Sequence, residues 1–321
     1  MNILDVAAKA GVSKATVSKY LNGTGYVSDA AAARIRAAID ESGYRPNPLA
    51  RALSCGESLK LVGLICYDIA DLYYAQCAAA IESRLRAAGF EMILACTGRS
   101  TDTFDAAVES LLRKNVDALL FIGAVFAGQA ERILAAAGRV PCFLLNIDLD
   151  GENIFCCYCD DGAAVRSAAQ TLKESGRQNP LYLYGAKTCS AKQKMHGFSQ
   201  VFPEKERLVC CGTSFEQHIS HCEEILQKRR PDALLCADDM LAAAALKAAQ
   251  KLGLRVPVDL AVVGHNDCFL TRTCTPTLTS IDSRGEFLAQ TAAENLVRFF
   301  EGKPFEKKVC ADWKLVRRES F

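Results

Sequence analysis

The sequence predicts an α/β protein that begins with a small helical segment. Residues 1–60 contain three short helix patterns, whereas from Leu61 onward short apolar runs alternate with helix-like stretches. Half of the 321 residues are apolar and 23% are charged, which is ordinary composition for a folded globular chain. At roughly 100–200 residues per domain, this length predicts two or three domains.

The charge balance excludes a uniformly basic nucleic-acid coat, because 38 Lys and Arg stand against 37 acids. Residues 1–60 nevertheless carry a net charge of +3 and the remainder −2, which directs the first segment toward an anionic partner. No stretch of about 18 uncharged apolar residues occurs, and the opening MNILDVAAKA lacks the features of a secretion signal. We therefore expect a cytoplasmic chain that does not contact a membrane.

The first sixty residues contain helix patterns at 3–10, 14–21 and 29–42, separated by turn signals. The Ser13 hydroxyl can cap the second helix by accepting the backbone N–H of Thr16. The other boundary residues that favour starts and stops are Ser28, Gly11 and Gly43. A glycine turn between the first two of three short helices predicts a helix-turn-helix unit. A small helical dimerisation cap is the alternative.

The α/β region is predicted from eight apolar runs, which read LVGLICY, EMILAC, DALLFIG, CFLLNI, LYLYGA, RLVCCG, DALLCA and LAVVGH. Helix-like segments at 73–88, 102–114 and 127–138 separate the first four. Continuous apolar strands of this kind belong to parallel sheets covered on both faces. Two such sets predict two Rossmann-like lobes.

Ligands of open α/β sheets bind beyond the carboxyl ends of the strands, so polar residues there are candidates for a binding site. In this chain they are Asp68, Asn146, Asp148, Asp160, Asp161, Asp238, Asn266 and Asp267. Short donors and acceptors of this type suit sugar hydroxyls. Tyr73 and Tyr74 could stack on a ring or close the cleft. Helix N-capping is the alternative role, above all for Asp161 and Asp239.

The segments DVAAKAGVSKATVSKYLNG and VSDAAAARIRAAIDESGYRPNPLARAL closely resemble the DNA-binding headpiece of the LacI/GalR family of bacterial repressors, without a gap over residues 3–53. The resemblance implies that the helix from Lys14 reads the major groove, with Lys14, Ala15 and Lys19 facing base edges. Short polar residues suited to phosphate contacts are Ser13, Thr16, Ser18 and Asn22. Many relatives have Arg at the position of Lys19, so base preference there is not inherited.

The resemblance also implies a hinge helix at Arg45–Leu53, in which Leu53 wedges into the minor groove when two subunits bind DNA. An ordinary linker is the alternative. The implied domains are a headpiece at 1–46, a hinge and linker at 47–59, and a core at 60–321. The resemblance further implies that this core has the two-lobed fold shared with periplasmic sugar-binding proteins, the periplasmic-binding-protein type I fold.

Four effector-binding positions follow from the resemblance, with departures. Lys194 stands where the family usually has Arg, and a lysine lacks the bidentate fork. Asp238 stands where Asn is common and Asn266 where Asp is common, so the acid and the amide are exchanged. Ser283 aligns with another ligand-contacting position. The predicted effector-binding residues are therefore Asp68, Tyr73, Tyr74, Asn146, Lys194, Asp238, Asn266 and Ser283.

Cofactor, metal and enzyme motifs do not support another class. The 16 cysteines do not form two clean C-x2-C or C…H-x3-H pairs, and most lie in strand-like runs as small apolar residues. Gly123 to Ala130 has P-loop glycine spacing but lacks its Lys and Ser/Thr, and neither H-E-x-x-H nor G-x-S-x-G occurs. We expect no cofactor, no metal and no catalysis.

The sequence thus predicts a homodimeric repressor that binds double-stranded operator DNA under the control of a small polar effector, a sugar or sugar derivative. The alternative is an α/β enzyme, or a cytoplasmic small-molecule-binding protein with a vestigial headpiece.

Overall fold

The computed structural model describes residues 2–44, 59–98, 100–123, 128–185, 187–212 and 214–321. The chain divides into two compact units, and the second comprises Lys60–Phe321. Within the described residues, no helix is both long and apolar enough to cross a bilayer.

The first unit contains α1 (Ile3–Ala10), α2 (Lys14–Asn22) and α3 (Asp29–Ser42). Its capping confirms the sequence prediction, because the Ser13 hydroxyl accepts the Thr16 N–H at 3.1 Å. Gly11 ends α1 with a φ of 63°, a left-handed conformation that costs glycine little. The helices enclose a small core around Val6, Val17 and Ile35, which are fully buried.

The second unit begins with a five-strand α/β segment whose elements are β1 (Leu61–Cys66), α4 (Leu72–Ala87), β2 (Glu91–Cys96), α5 (Thr101–Arg113), β3 (Ala118–Ile122), α6 (Gln129–Ala137), β4 (Cys142–Leu145) and β5 (Ile154–Cys159). The strand order is β5-β4-β3-β1-β2, and every neighbouring pair is parallel. All five residues of β3 are buried, which explains its continuous apolar sequence.

A second α/β segment follows, with elements α7 (Asp161–Glu174), β6 (Pro180–Tyr184), α8 (Cys189–Ser199), β7 (Leu208–Cys210), α9 (Phe215–Arg229), β8 (Ala233–Cys236), α10 (Asp239–Lys251), β9 (Ala261–His265) and β10 (Thr279–Asp282). Short 3-10 helices lie at Lys205–Arg207 and Phe269–Arg272. The order β10-β9-β8-β6-β7 is again wholly parallel. The two sheets confirm the predicted pair of lobes.

The C-terminal segment returns to both lobes, which the sequence did not reveal. Helix α11 (Gly285–Phe300) packs on α4, and β11 (Lys308–Ala311) adds to β5 in the first sheet. Strand β12 (Lys314–Val316) then pairs antiparallel with β10 in the second sheet. The chain therefore passes between the lobes three times, at residues 160, 283–284 and 312–313.

Helices cover both faces of each sheet. In the first lobe, Ile81 of α4 and Leu296 of α11 are buried on one face, and Leu111 of α5 and Ile133 of α6 on the other. Helices α9 and α10 cover one face of the second sheet, and α7 and α8 cover the other. Each fully buried leucine or isoleucine contributes about 1.5–3 kcal/mol relative to exposure.

Helix N-capping, the alternative role given above for Asp161 and Asp239, is wrong by one residue. The N-caps of α7 and α10 are Asp160 and Asp238, whose non-helical backbone lets their carboxylates accept the N–H of Ala163 and Leu241 at 2.8 Å each. Asp161 and Asp239 instead occupy the first helical position and are almost fully buried, at 5% and 2% exposure.

Candidate functional site

Helix α2 presents the predicted DNA-reading surface. Lys14, Ala15 and Lys19 are exposed, whereas Val17 between them is completely buried and anchors the helix. Among the described residues neither lysine has an ion-pair partner, so both ammonium groups are available to an incoming acceptor.

The short polar side chains of the same helix are partly engaged in holding it. Ser13 and the half-buried Thr16 share a hydroxyl–hydroxyl hydrogen bond of 2.9 Å, and Asn22 donates to the Ser18 hydroxyl at 3.3 Å. Ser13 is exposed, and Ser18 and Asn22 are half-buried. Leu53 lies outside the described residues.

The second unit contains a cavity of about 460 Å³ at the carboxyl ends of both sheets. Its lining comes from both lobes and includes seven of the predicted effector-binding residues: Asp68, Tyr73, Tyr74, Asn146, Lys194, Asp238 and Asn266. Ser283 is completely buried and does not line the cavity. Its hydroxyl donates to Asn266 Oδ1 at 3.2 Å and so orients a residue that does.

Three other polar residues at strand ends are engaged elsewhere, contrary to the expected cluster. Asp148 forms an ion pair with Lys308 at 2.6 Å. Asp160 caps α7, and Asp267 accepts from Arg318 at 2.6 Å. These carboxylates stabilise the lobes and lie outside the cavity lining.

The aromatic wall of the cavity consists of three tyrosines. Tyr73 and Tyr74 meet edge to face with centroids 5.6 Å apart, and Tyr74 lies 6.2 Å from Tyr67. The Asn146 amide nitrogen donates to the Tyr73 hydroxyl. A Cβ on Gly285 would come within 2.6 Å of the Tyr73 ring, so this glycine at the start of α11 lets the ring pack there.

Asp161 is the centre of a buried polar network that the sequence did not predict. Its carboxylate accepts from His265 Nε2 at 3.0 Å and from Ser190 at 2.5 Å, and Lys194 Nζ lies 3.8 Å away. Lys194 also donates to the Ala237 carbonyl at 3.1 Å. Burial opposes ionisation of Asp161, but the Lys194 charge and these hydrogen bonds lower its pKa below the ordinary value.

His265 is fully buried beside this network, and burial together with the Lys194 charge lowers its pKa. It is the residue before Asn266 in VVGHND, at the end of β9, and its burial could not be read from the sequence. The sequence predicted Asp161 as one of several polar residues at strand ends, with helix N-capping as its alternative role.

Two carboxylates face the cavity while capping helices. Asp71 caps α4 by accepting the Tyr73 N–H at 2.9 Å, and Asp238 caps α10. Burial and the Asp238 charge raise the pKa of Asp71 to about 6. Sequence reasoning missed Asp71, although its place before an apolar helix is a capping signal. It also missed the lining residues Thr188, Ser190, Ser214, Phe215, His218 and Met240.

Within the described ranges, no group of three or more His, Cys, Asp or Glu side chains is arranged to hold an ion.

Comparison with known proteins identifies the class as helix-turn-helix transcriptional regulators. Residues 2–47 match the model of bacterial regulatory proteins of the lacI family, and residues 169–321 match a periplasmic binding protein-like domain. An HTH-type transcriptional regulator of Lachnoclostridium phytofermentans is 34% identical over 331 residues, covering 100% of this chain and 99% of that protein. The chain belongs to the LacI family, which confirms the resemblance.

Other relatives carry more specific names. The ribose operon repressor of Halalkalibacterium halodurans is 30% identical, covering 99% of this chain and 96% of that protein. The structure of a Lac repressor dimer bound to operator and the anti-inducer ONPF is similar with a TM-score of 0.80, at 27% identity and 100% and 98% coverage. These relatives are regulators and repressors, and the chain is a regulator rather than an enzyme.

Proposed function

We propose that this protein is a homodimeric repressor whose operator affinity changes when a small polar metabolite binds between the lobes of its second unit. The observation that carries the proposal is the cavity itself. It is enclosed by residues of both lobes at the carboxyl ends of their strands, and the chain crosses between those lobes three times.

Closure of the lobes on a ligand supplies the coupling. A ligand that contacts both lobes favours the closed arrangement, and any difference between arrangements at the dimer interface changes how two headpieces bind a two-fold site. Coupling of this type is typically about 1–3 kcal/mol, so the ligand should change operator affinity by roughly 5–150-fold.

The DNA-reading roles are assigned to the exposed stripe of α2. Lys14 and Lys19 would donate to guanine O6 or N7, and Ala15 would contact a thymine methyl group. The phosphate contacts are assigned to Ser13, Thr16, Ser18 and Asn22, and the minor-groove wedge to Leu53.

The test is selection of binding sites from randomised duplex DNA with the full-length protein at physiological salt, where non-specific phosphate binding is weak. We expect enrichment of a two-fold symmetric site. Lys19→Ala should cost about 1–3 kcal/mol and relax preference at one base pair per half-site.

Two further variants sharpen this test. Leu53→Ala should weaken operator binding while leaving ligand affinity intact, whereas the exposed Lys247→Ala, on α10 of the second unit, should change neither. Failure to enrich any two-fold site, with or without the relatives' sugars present, would overturn the proposal.

A further inference from the structure

The cavity holds more negative charge than its own residues neutralise. Its described lining contains the carboxylates of Asp68, Asp71, Asp161 and Asp238 against the single ammonium group of Lys194. Lys194 is already engaged, because it donates to the Ala237 carbonyl and lies 3.8 Å from Asp161. Among the described residues, the other three carboxylates have no ion-pair partner.

Two residues of the lining also carry a polar atom without a hydrogen-bond partner. With the Asn146 amide nitrogen donating to Tyr73, its buried Oδ1 has no donor. His218 is 8% exposed, and its Nε2 lies 3.3 Å from the Gly212 carbonyl. A carbonyl only accepts, so Nε2 donates to it, and the buried Nδ1 of the same ring has no hydrogen-bond partner.

The two half-buried carboxylates stand on opposite lobes and are held in place. Asp71 begins α4 of the first lobe and Asp238 begins α10 of the second, and each accepts a helix N–H. Both carboxylates line the same cavity, together with Asp68. Burial, and after it the Asp238 charge, raises the pKa of Asp71 to about 6, while Lys194 opposes this rise. Like charges in this position repel until a cation is supplied.

We propose, on the basis of the regulator function above, that the effector is a polyhydroxylated amine of the amino-sugar class, whose protonated nitrogen binds between Asp71 and Asp238. The hydroxyl groups of such a ligand bind the polar side chains of the same lining, which include Asn146, His218 and Asn266. The Tyr67 and Tyr74 rings provide faces that attract a cation. Because the ammonium group contacts both lobes, it removes the repulsion between them and stabilises closure.

This chemistry also disfavours anionic effectors. A phosphate or carboxylate group would enter beside three unpaired carboxylates, and the only lining ammonium among the described residues already serves Asp161. Neutral sugars form hydrogen bonds with the polar lining but leave the carboxylate repulsion in place.

The experiment measures binding of matched sugars to the full-length protein by calorimetry at pH 7.5. Glucose, galactose and mannose are each supplied as the parent sugar, the 2-amino-2-deoxy sugar, its N-acetyl derivative and the 6-phosphate. We expect at least one amino sugar to bind about tenfold or more tightly than its parent, acetylated and phosphorylated forms.

Isosteric variants locate the ammonium group. Asp238→Asn and Asp71→Asn keep the helix caps, since Asn caps as well as Asp. Each should lower amino-sugar affinity about tenfold or more and should remove most of the preference for the amino sugar over its parent sugar. Asp102→Asn, on the exposed first turn of α5 and outside the cavity, should change neither.

Three results would overturn the amino-sugar proposal. The first is a parent, acetylated or phosphorylated sugar that binds as tightly as its amino form, and the second is no binding by any member of the panel. The third is unchanged amino-sugar affinity in both isosteric variants. The regulator proposal is judged separately by operator selection. A neutral sugar that shifts operator affinity would refute the amine and leave the regulator standing.

Discussion

Replacement of Lys194 by methionine tests the buried network behind the cavity. The change keeps the length of the side chain but removes a 3.1 Å hydrogen bond to the Ala237 carbonyl and a cation 3.8 Å from Asp161. Both charged side chains are about 90% or more buried, at 10% and 6% exposure. Breaking such a pair leaves a buried carboxylate uncompensated, so we expect a loss of about 3–5 kcal/mol.

The assay is thermal unfolding of the full-length protein followed by the fluorescence of Trp313. This is the sole tryptophan in the sequence, and it packs against core clusters of both lobes. At about 2–4 °C per kcal/mol for a unit of this size, Tm should fall by roughly 6–20 °C.

The pH dependence gives a second, independent readout. The pKa of Asp161 is lower in the native protein than its value near 3.8 in the unfolded chain. Ionised Asp161 therefore stabilises the native protein above about pH 3.8, and this stabilisation is lost only in strong acid. Without Lys194, burial raises that pKa and His265 is freer to protonate. The variant therefore loses stability as pH rises above about 4, and its deficit should grow from pH 4.5 to 7.5.

Two controls separate this mechanism from general damage to α8. Lys192→Met changes an exposed lysine on the same helix and should leave Tm within about 1 °C. The double variant Lys194→Met/Asp161→Asn removes the stranded charge and should recover at least about half of the loss. A single-variant loss below about 1 kcal/mol, or a deficit independent of pH, would refute the reasoning.

Three other predictions follow from individual contacts. Gly197→Ala should destabilise the second unit by about 1–3 kcal/mol in thermal unfolding, because the added Cβ would overlap the Gly162 carbonyl oxygen. Gly138→Ala is the control and should be near neutral, because its added Cβ would lie 3.4 Å from its nearest neighbour, the Ala135 carbonyl oxygen. Ser13→Ala should lower headpiece stability by about 1 kcal/mol through loss of the α2 cap, and an unchanged far-UV melt of that unit would contradict this. Affinity for the amino-sugar probe, measured by calorimetry, should rise severalfold from pH 5 to pH 7, because Asp71 (pKa about 6) ionises over this range. In Asp71→Asn the affinity should change much less with pH, and an equal rise in that variant would contradict the assignment.

The headpiece was predictable because its signals are local. A serine hydroxyl three residues before the N–H it accepts and a glycine at positive φ act within one helix turn, and both stand in the sequence as the structure shows them. The two sheets were predictable for a related reason, since a strand buried on both faces must be apolar throughout.

Only those cavity residues that directly follow a strand were predictable from the sequence. Asn146 and Asn266 directly follow β4 and β9, so the general rule for α/β sheets brings them to one edge. Ser283 follows β10 in the same way, yet it is buried behind Asn266 because the chain crosses to the first lobe there. The return of α11 and β11 to the first sheet depends on pairing across more than 140 residues, for which no local pattern exists.

The placement of the cavity carboxylates limits how the protein itself can relieve their repulsion. Asp71 and Asp238 each spend one oxygen on a helix N–H, at 2.9 and 2.8 Å, so neither side chain can rotate away without losing its cap. The positive end of each helix dipole further favours the carboxylate at that position. Relief must come from protonation of Asp71, from separation of the lobes, or from a cation. Of these three, only a cation favours closure of the lobes at neutral pH. A ligand that carries the cation is recognised through its contact with the two carboxylates, and the same contact makes it bind the closed form more tightly than the open form.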